Sequence, residues 1–106
     1  MKRLVDKKHL QLVASLPCAI CKTTSQIQVH HLLKPYDGAR GLSMRSGDNN
    51  VIPLCFRHHT ELHTRYGNEA KFFISHGLEP MFGQNTARLL YETKQMIDDV
   101  DDDLPF

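Results

Sequence analysis

Hydrophobic and polar positions change period several times along the chain, and each change marks an element. In residues 6–16 (DKKHLQLVASL) Leu10, Val13, Ala14 and Leu16 fall near one helical face, and Pro17 closes the segment. Gln26-Ile27-Gln28-Val29-His30 alternates polar and apolar residues in the manner of a half-buried strand. Val51-Ile52-Pro53-Leu54 is a second short strand, and its proline points to an edge or a strand end. The pattern is helical from Phe56 to Tyr66, with Leu62 toward a core and Gly67 as the stop. Residues 68–76 form a further short helix carrying Phe72 and Phe73 and ending at Gly77. In 84–97, Ala87, Leu90, Tyr91 and Lys94 share one helical side, which Leu89, Met96 and Ile97 broaden. A helix, two strands and then three helices predict an α+β fold.

Between the strands, residues 34–49 (KPYDGARGLSMRSGDN) are rich in Gly, Ser, Asp and Arg and read as a long loop. Loops of this length in a compact domain are usually functional, so Lys34, Arg40 and Arg45 are candidate ligand contacts. At 106 residues one domain is expected, with a core small enough that a structural metal would help it. Residues 1–97 are read as that domain and 98–106 as an acidic, flexible tail. No apolar run approaches the roughly 18 residues of a membrane span, and Met1-Lys2-Arg3 leads into no secretory core, so a soluble, cytoplasmic protein without a membrane partner is expected. All 13 Lys and Arg lie in residues 1–97 beside seven of the 12 acids, an excess of six positive charges. That excess suits a polyanionic partner or, more plainly, a solvated surface. The other five acids are Asp98, Asp99, Asp101, Asp102 and Asp103.

Three cysteines cannot pair completely, and Cys18-x-x-Cys21 in a reducing compartment points to metal or redox chemistry. A second pair at the same spacing, Cys55-x-x-His58, favours a closed tetrahedral zinc site that would pin the strands to the cysteine knuckle. A second group consists of His30 and His31, then Asn50, then His59 and His63. His59 and His63, four residues apart on a helix, can share an ion. A third ligand from the strand, His30, would leave coordination positions open, as a catalytic site needs and a structural site avoids. Any one of these histidines alone would be read as a core or surface residue, but five of the seven fall at positions 30, 31, 58, 59 and 63. Neighbours on a regular strand face opposite ways, so for both His30 and His31 to face one ion they must sit at a strand end or bulge.

The string Cys18-x-x-Cys21, Val29-His30-His31, Asn50-Val51-Ile52-Pro53-Leu54-Cys55-Phe56-Arg57-His58-His59, with His63 one turn on, resembles the HNH (ββα-metal) nucleases over about residues 18–66. The resemblance implies a zinc-stabilised, treble-clef-like ββα-metal core with flanking helices. It also implies that His31 is the general base, that Asn50 orients the loop bearing it, and that His30, His59 and His63 hold the catalytic ion. Two departures stand out. His58 replaces the fourth zinc cysteine of many members, and His30 replaces a carboxylate. An all-imidazole site suits Zn2+, Ni2+ or Mn2+ more than Mg2+.

The implied activity is metal-dependent endonucleolytic hydrolysis of phosphodiester bonds, in DNA before RNA, leaving 5′-phosphate and 3′-hydroxyl ends, in recombination, repair or phage DNA processing. A neutral His31 imidazole can take a proton from water near pH 7. Lys34, Arg40, Arg45, Arg57 and Arg65 are candidate phosphate contacts, which supply affinity without sequence information. The chain ends Asp101-Asp102-Asp103-Leu104-Pro105-Phe106, similar to the acidic tip of bacterial single-stranded DNA-binding proteins. That resemblance implies docking to the proteins such a tip binds, against the plainer reading of a solubilising tail. The competing function is a noncatalytic, zinc-stabilised DNA-binding or adaptor module.

Overall fold

The computed structural model describes residues 4–38 and 45–101, the last eight of these by backbone alone. The first helix, α1 (Lys7–Ala14), starts where the Asp6 carboxylate accepts the His9 N–H at 3.0 Å, an N-cap that satisfies one of the amides a helix start leaves free. Its inner face is His9 and Val13, while Ala14, assigned to that face from the pattern, is exposed. Strands β1 (Ile27–His31) and β2 (Val51–Cys55) form an antiparallel two-stranded sheet with unbroken register from Ile27 opposite Cys55 to His31 opposite Val51. Pro53 is tolerated because both strands are edges, and its carbonyl accepts the Ala19 N–H at 2.9 Å, docking the cysteine knuckle onto β2.

The sheet leads directly into α2 (Phe56–Glu61), which continues as a π-helical turn, Leu62–Tyr66. The widened turn closes when the Gly67 N–H donates to the Leu62 carbonyl at 2.7 Å, and Gly67, at φ 61°, takes the left-handed position that ends it. Helix α3 (Glu69–Ser75) is capped by the Asn68 side chain, and α4 spans Phe82–Asp101. That last helix runs four residues past the boundary drawn from sequence at 97. Leu89, expected to broaden its buried side, is 64% exposed. The core gathers Cys18, Leu32, Ile52, Leu54, Leu62, Phe72, Phe73 and Ala87 between the sheet and the helices. Helix α4 reaches it through Gly83, where a Cβ would lie 2.8 Å from the Phe73 ring. The sum is a small α+β fold. Among the described residues no helix is long and apolar enough to cross a membrane.

Candidate metal centres

The four residues expected to hold zinc come together. Cys18 and Cys21 arrive on the knuckle, Cys55 ends β2, and His58 sits in the first turn of α2. Cys21 Sγ and Cys55 Sγ are 3.8 Å apart, Cys18 Sγ and His58 Nδ1 3.8 Å, and Cys55 Sγ and His58 Nδ1 3.3 Å. A tetrahedral ion with bonds of about 2.3 Å to sulfur and 2.0 Å to nitrogen requires edges of about 3.5–3.8 Å, so the cluster could hold a metal ion such as zinc. The local electrostatics suit thiolate at Cys18: burial opposes its ionisation, but N–H groups of Cys21, Cys55 and Ile20 outweigh it and lower the thiol, Ile20 N–H lying 3.4 Å from the sulfur. Cys55, by contrast, is raised, first by burial. His58 is lowered by burial and by the nearby Arg57 and His76, which keeps its ring neutral and able to ligate. Its ring also meets His76 at 5.0 Å between centroids, and His76 Nε2 pairs with Glu61 at 2.7 Å.

The second cluster is His30, His59 and His63, whose ligand atoms lie within 4.8 Å of one another. His30 is buried on β1, His59 is half-buried on α2 and His63 is exposed on the π-helical turn. His59 Nε2 and His63 Nε2 are 3.1 Å apart, between the edges of about 3.0 and 3.4 Å that octahedral and tetrahedral ions with bonds of about 2.1 Å would set. Gln28 Oε1 accepts a hydrogen bond from His59 Nδ1, which leaves the Nε2 lone pair toward His63. Burial, followed by the neighbouring His30 and His63, pushes His59 down to about 4. His63 is lowered by burial and then by His30, against an opposing pull from Glu69.

Two carboxylates that the sequence reading did not single out stand behind these histidines. Glu69, 5% exposed, accepts from His30 Nε2 at 2.7 Å and from the Leu33 and Lys34 N–H groups at 2.7 and 3.2 Å. Asp48, 2% exposed, bonds His31 Nε2 at 2.9 Å and accepts the Asp6 N–H at 2.8 Å. His31 is therefore at a strand end, as anticipated, yet its contacts follow ordinary strand alternation: His30 turns to α2 and Glu69, and His31 turns to Asp48 outside the three-histidine cluster. Asn50, fully buried, holds the loop after His31: its Oδ1 accepts from the Tyr36 and Asp37 N–H groups at 2.8 and 3.2 Å, and its Nδ2 donates to the Asp37 carbonyl at 3.0 Å. Gln28 could have been found from its position two residues before His30 on a period-two strand, whereas Glu69, 39 positions away, gives no local signal.

Of the proposed phosphate contacts, Lys34, Arg45, Arg57 and Arg65 are exposed, and Arg65 lies 5.9 Å from the Tyr66 ring centre. Arg40 and residues Asp102, Asp103, Leu104, Pro105 and Phe106 of the tail lie outside the described residues, and Asp101 closes α4. The described residues thus define a small α+β protein with Cys/His groups at metal-binding distance. The chain belongs to the family described as Protein of unknown function (DUF968), whose model matches residues 1–91. It is also similar to the "Uncharacterized protein YdfU" of Escherichia coli (strain K12), 38% identical over 80 residues, a stretch covering 69% of this chain and 22% of that protein. The chain thus spans about a fifth of that relative's length. No solved structure matches the chain.

Proposed function

We propose that the chain is a metal-dependent nuclease of the HNH, ββα-metal type, hydrolysing phosphodiester bonds in DNA. One observation carries the reading: three imidazoles from a strand and from the helix that follows the sheet converge beside, but separate from, the Cys3His cluster. A closed four-ligand set serves stability, while a three-ligand set with an exposed member has positions left for substrate and water. A divalent ion bound there would supply charge stabilisation for a phosphate and its departing oxygen. His31 is the base in this reading: Asp48 bonds its Nε2 at 2.9 Å, and a carboxylate so placed fixes an imidazole's ring and tautomer. Asn50 keeps the loop after His31 in register, and the exposed Arg57 and Arg65 neutralise flanking phosphates. The basic excess of the body supports a polyanionic substrate.

The competing noncatalytic, zinc-stabilised DNA-binding module draws on the same His31–Asp48 pair, which under that reading serves only to tie β1 to the start of α1. Cleavage of linear, gapped, branched and single-stranded DNA with several divalent metals separates them. The parent is expected to cut, and His31→Ala to lose about 100-fold or more in rate while keeping its zinc and its fold, read by far-ultraviolet circular dichroism. A His31→Ala protein that cuts as fast as the parent overturns the mechanism.

A further inference from the structure

Beside the cysteine knuckle lies an open concavity of about 240 Å³ that the reading above does not use. Thr23, Ser25 and Gln26, from the segment before β1, line it together with Phe56 and Arg57, from the first turn of α2. The two zinc-site residues Cys21 and Cys55 complete the lining. Phe56 is 54% exposed, although a ring of that size usually buries. Its N–H donates to the Gln26 carbonyl at 2.9 Å, so the main chain ties the two walls together and fixes where the ring stands. Gln26 holds a φ of 57°, a left-handed conformation disfavoured outside glycine. No lining residue is acidic, and Arg57 gives the rim a permanent positive charge.

The concavity and the three-histidine cluster draw on the same two stretches of chain, β1 with the segment before it and the helix that follows β2. Phe56, His59 and His63 fall at i, i+3 and i+7 along one helical stretch, a rise of about 10 Å from first to last. On the strand side, Gln28, which holds His59, follows Gln26 by two residues. A flat apolar ring, neutral donors and acceptors and one guanidinium, set along the same helix as a candidate phosphodiester site, match the face of a base, its edge and a phosphate.

We propose that this concavity binds an unpaired nucleobase of the strand handled at the histidine cluster, stacked on Phe56 with an adjoining phosphate on Arg57. The proposal rests on the nuclease reading and narrows its substrate to nucleic acid with a single-stranded segment. Within a duplex each base is already stacked on both faces and paired at its edge, so an exposed ring gains from a base only where the strand is open. Thr23, Ser25 and Gln26 then meet the base edge that pairing would otherwise occupy.

The test measures binding of a short fluorescein-labelled poly(dT) strand and of a blunt-ended linear duplex by anisotropy, using the full chain with zinc kept on the cysteine cluster and the histidine cluster stripped by brief EDTA treatment so that nothing is cut. Phe56→Ala and Phe56→Leu are expected to weaken single-strand binding by about 5- to 150-fold, the range for one lost base stack, and duplex binding by less than about twofold. Phe56→Tyr restores the parent's affinity, and because the ring is exposed all three variants keep the parent's melting temperature. Equal losses on strand and duplex, a Phe56→Leu protein that binds as the parent does, displacement of the strand by an equally charged acidic peptide, or no binding of either nucleic acid overturns the proposal. Failure of the nuclease reading is seen separately: if Phe56 discriminates strand from duplex but no substrate is cut, the nucleobase site stands and the hydrolytic role of His31 falls.

Discussion

An imidazole ligates a metal well when its second nitrogen is occupied by a fixed acceptor, because that bond sets the tautomer, aims the lone pair and raises its basicity. His30 meets this condition through Glu69, whose carboxylate also gathers the Leu33 and Lys34 amides, and His59 meets it through Gln28. Glu69→Gln keeps the size of the side chain and removes its charge. It should weaken divalent metal binding at the histidine cluster by about 10- to 100-fold, read by competition with a chromophoric chelator, with the cysteine-bound metal retained. An unchanged affinity would reduce Glu69 to a loop clamp. His59 gives a second test. Its folded-state value near 4 lies below the ordinary histidine value of 6.5, so the unfolded chain takes up the proton first as pH falls. The stabilisation is complete above pH 6.5 and is lost between 6.5 and 4. Over that window the melting temperature of the protein without added divalent metal should fall more steeply for the parent than for His59→Asn, which has nothing to protonate at that position.

At the level of elements, Asn50, the residue that precedes β2, ties down the described start of the loop after β1. Asn50 satisfies two amides of residues 36 and 37 and donates back to the carbonyl of Asp37, so a buried side chain does what a regular turn would do with main-chain bonds. Asn50→Ala strands those groups and should cost about 2 kcal/mol or more in a urea titration, by the usual penalty for buried unpaired polar groups. A change under 0.5 kcal/mol, the ordinary range about a surface substitution, would mean that the loop is held elsewhere. The elements themselves were largely legible: alternation from Gln26 to His30 marked β1 to within one residue, and Gly67 and Gly77 marked two helix ends. Periodicity misplaced the buried face of α1, because His9, completely buried against Tyr91 with ring centres 4.9 Å apart, is a polar residue that a hydrophobicity pattern assigns to solvent. It also missed the π-helical turn, since one extra residue in a turn leaves no mark in composition. The Cys/His groups now found at metal-binding distance were legible because metal chemistry demands few residue types at fixed spacing. Glu69 and Asp48 were not, because what makes them important is a neighbour brought close by folding across 39 and 17 positions.

For the whole molecule, the two clusters meet at one junction of the chain, where Cys55 closes β2 and His58 and His59 point from the next helical turn into different sites. Cys18 belongs to the hydrophobic core and Cys55 and His58 are each 5% exposed, so a metal on these ligands joins knuckle, sheet and helix where apolar burial in a chain of this size is limited. The histidine cluster has one buried, one half-buried and one exposed member, and its carboxylate and amide supports are made by protein groups alone. The two sites should therefore part with metal differently. The chain purified with metals is expected to hold two ions. A chelator such as EDTA should remove the first quickly with the far-ultraviolet circular dichroism unchanged, and the second slowly, together with the loss of tertiary structure. Adding Zn2+ back to the half-depleted protein should refill the histidine cluster without any refolding phase. One ion per chain, released only on unfolding, would leave a structural zinc protein and remove the physical basis for hydrolysis. Loss of both ions with the fold intact would show that the small core holds the knuckle against the sheet by packing alone.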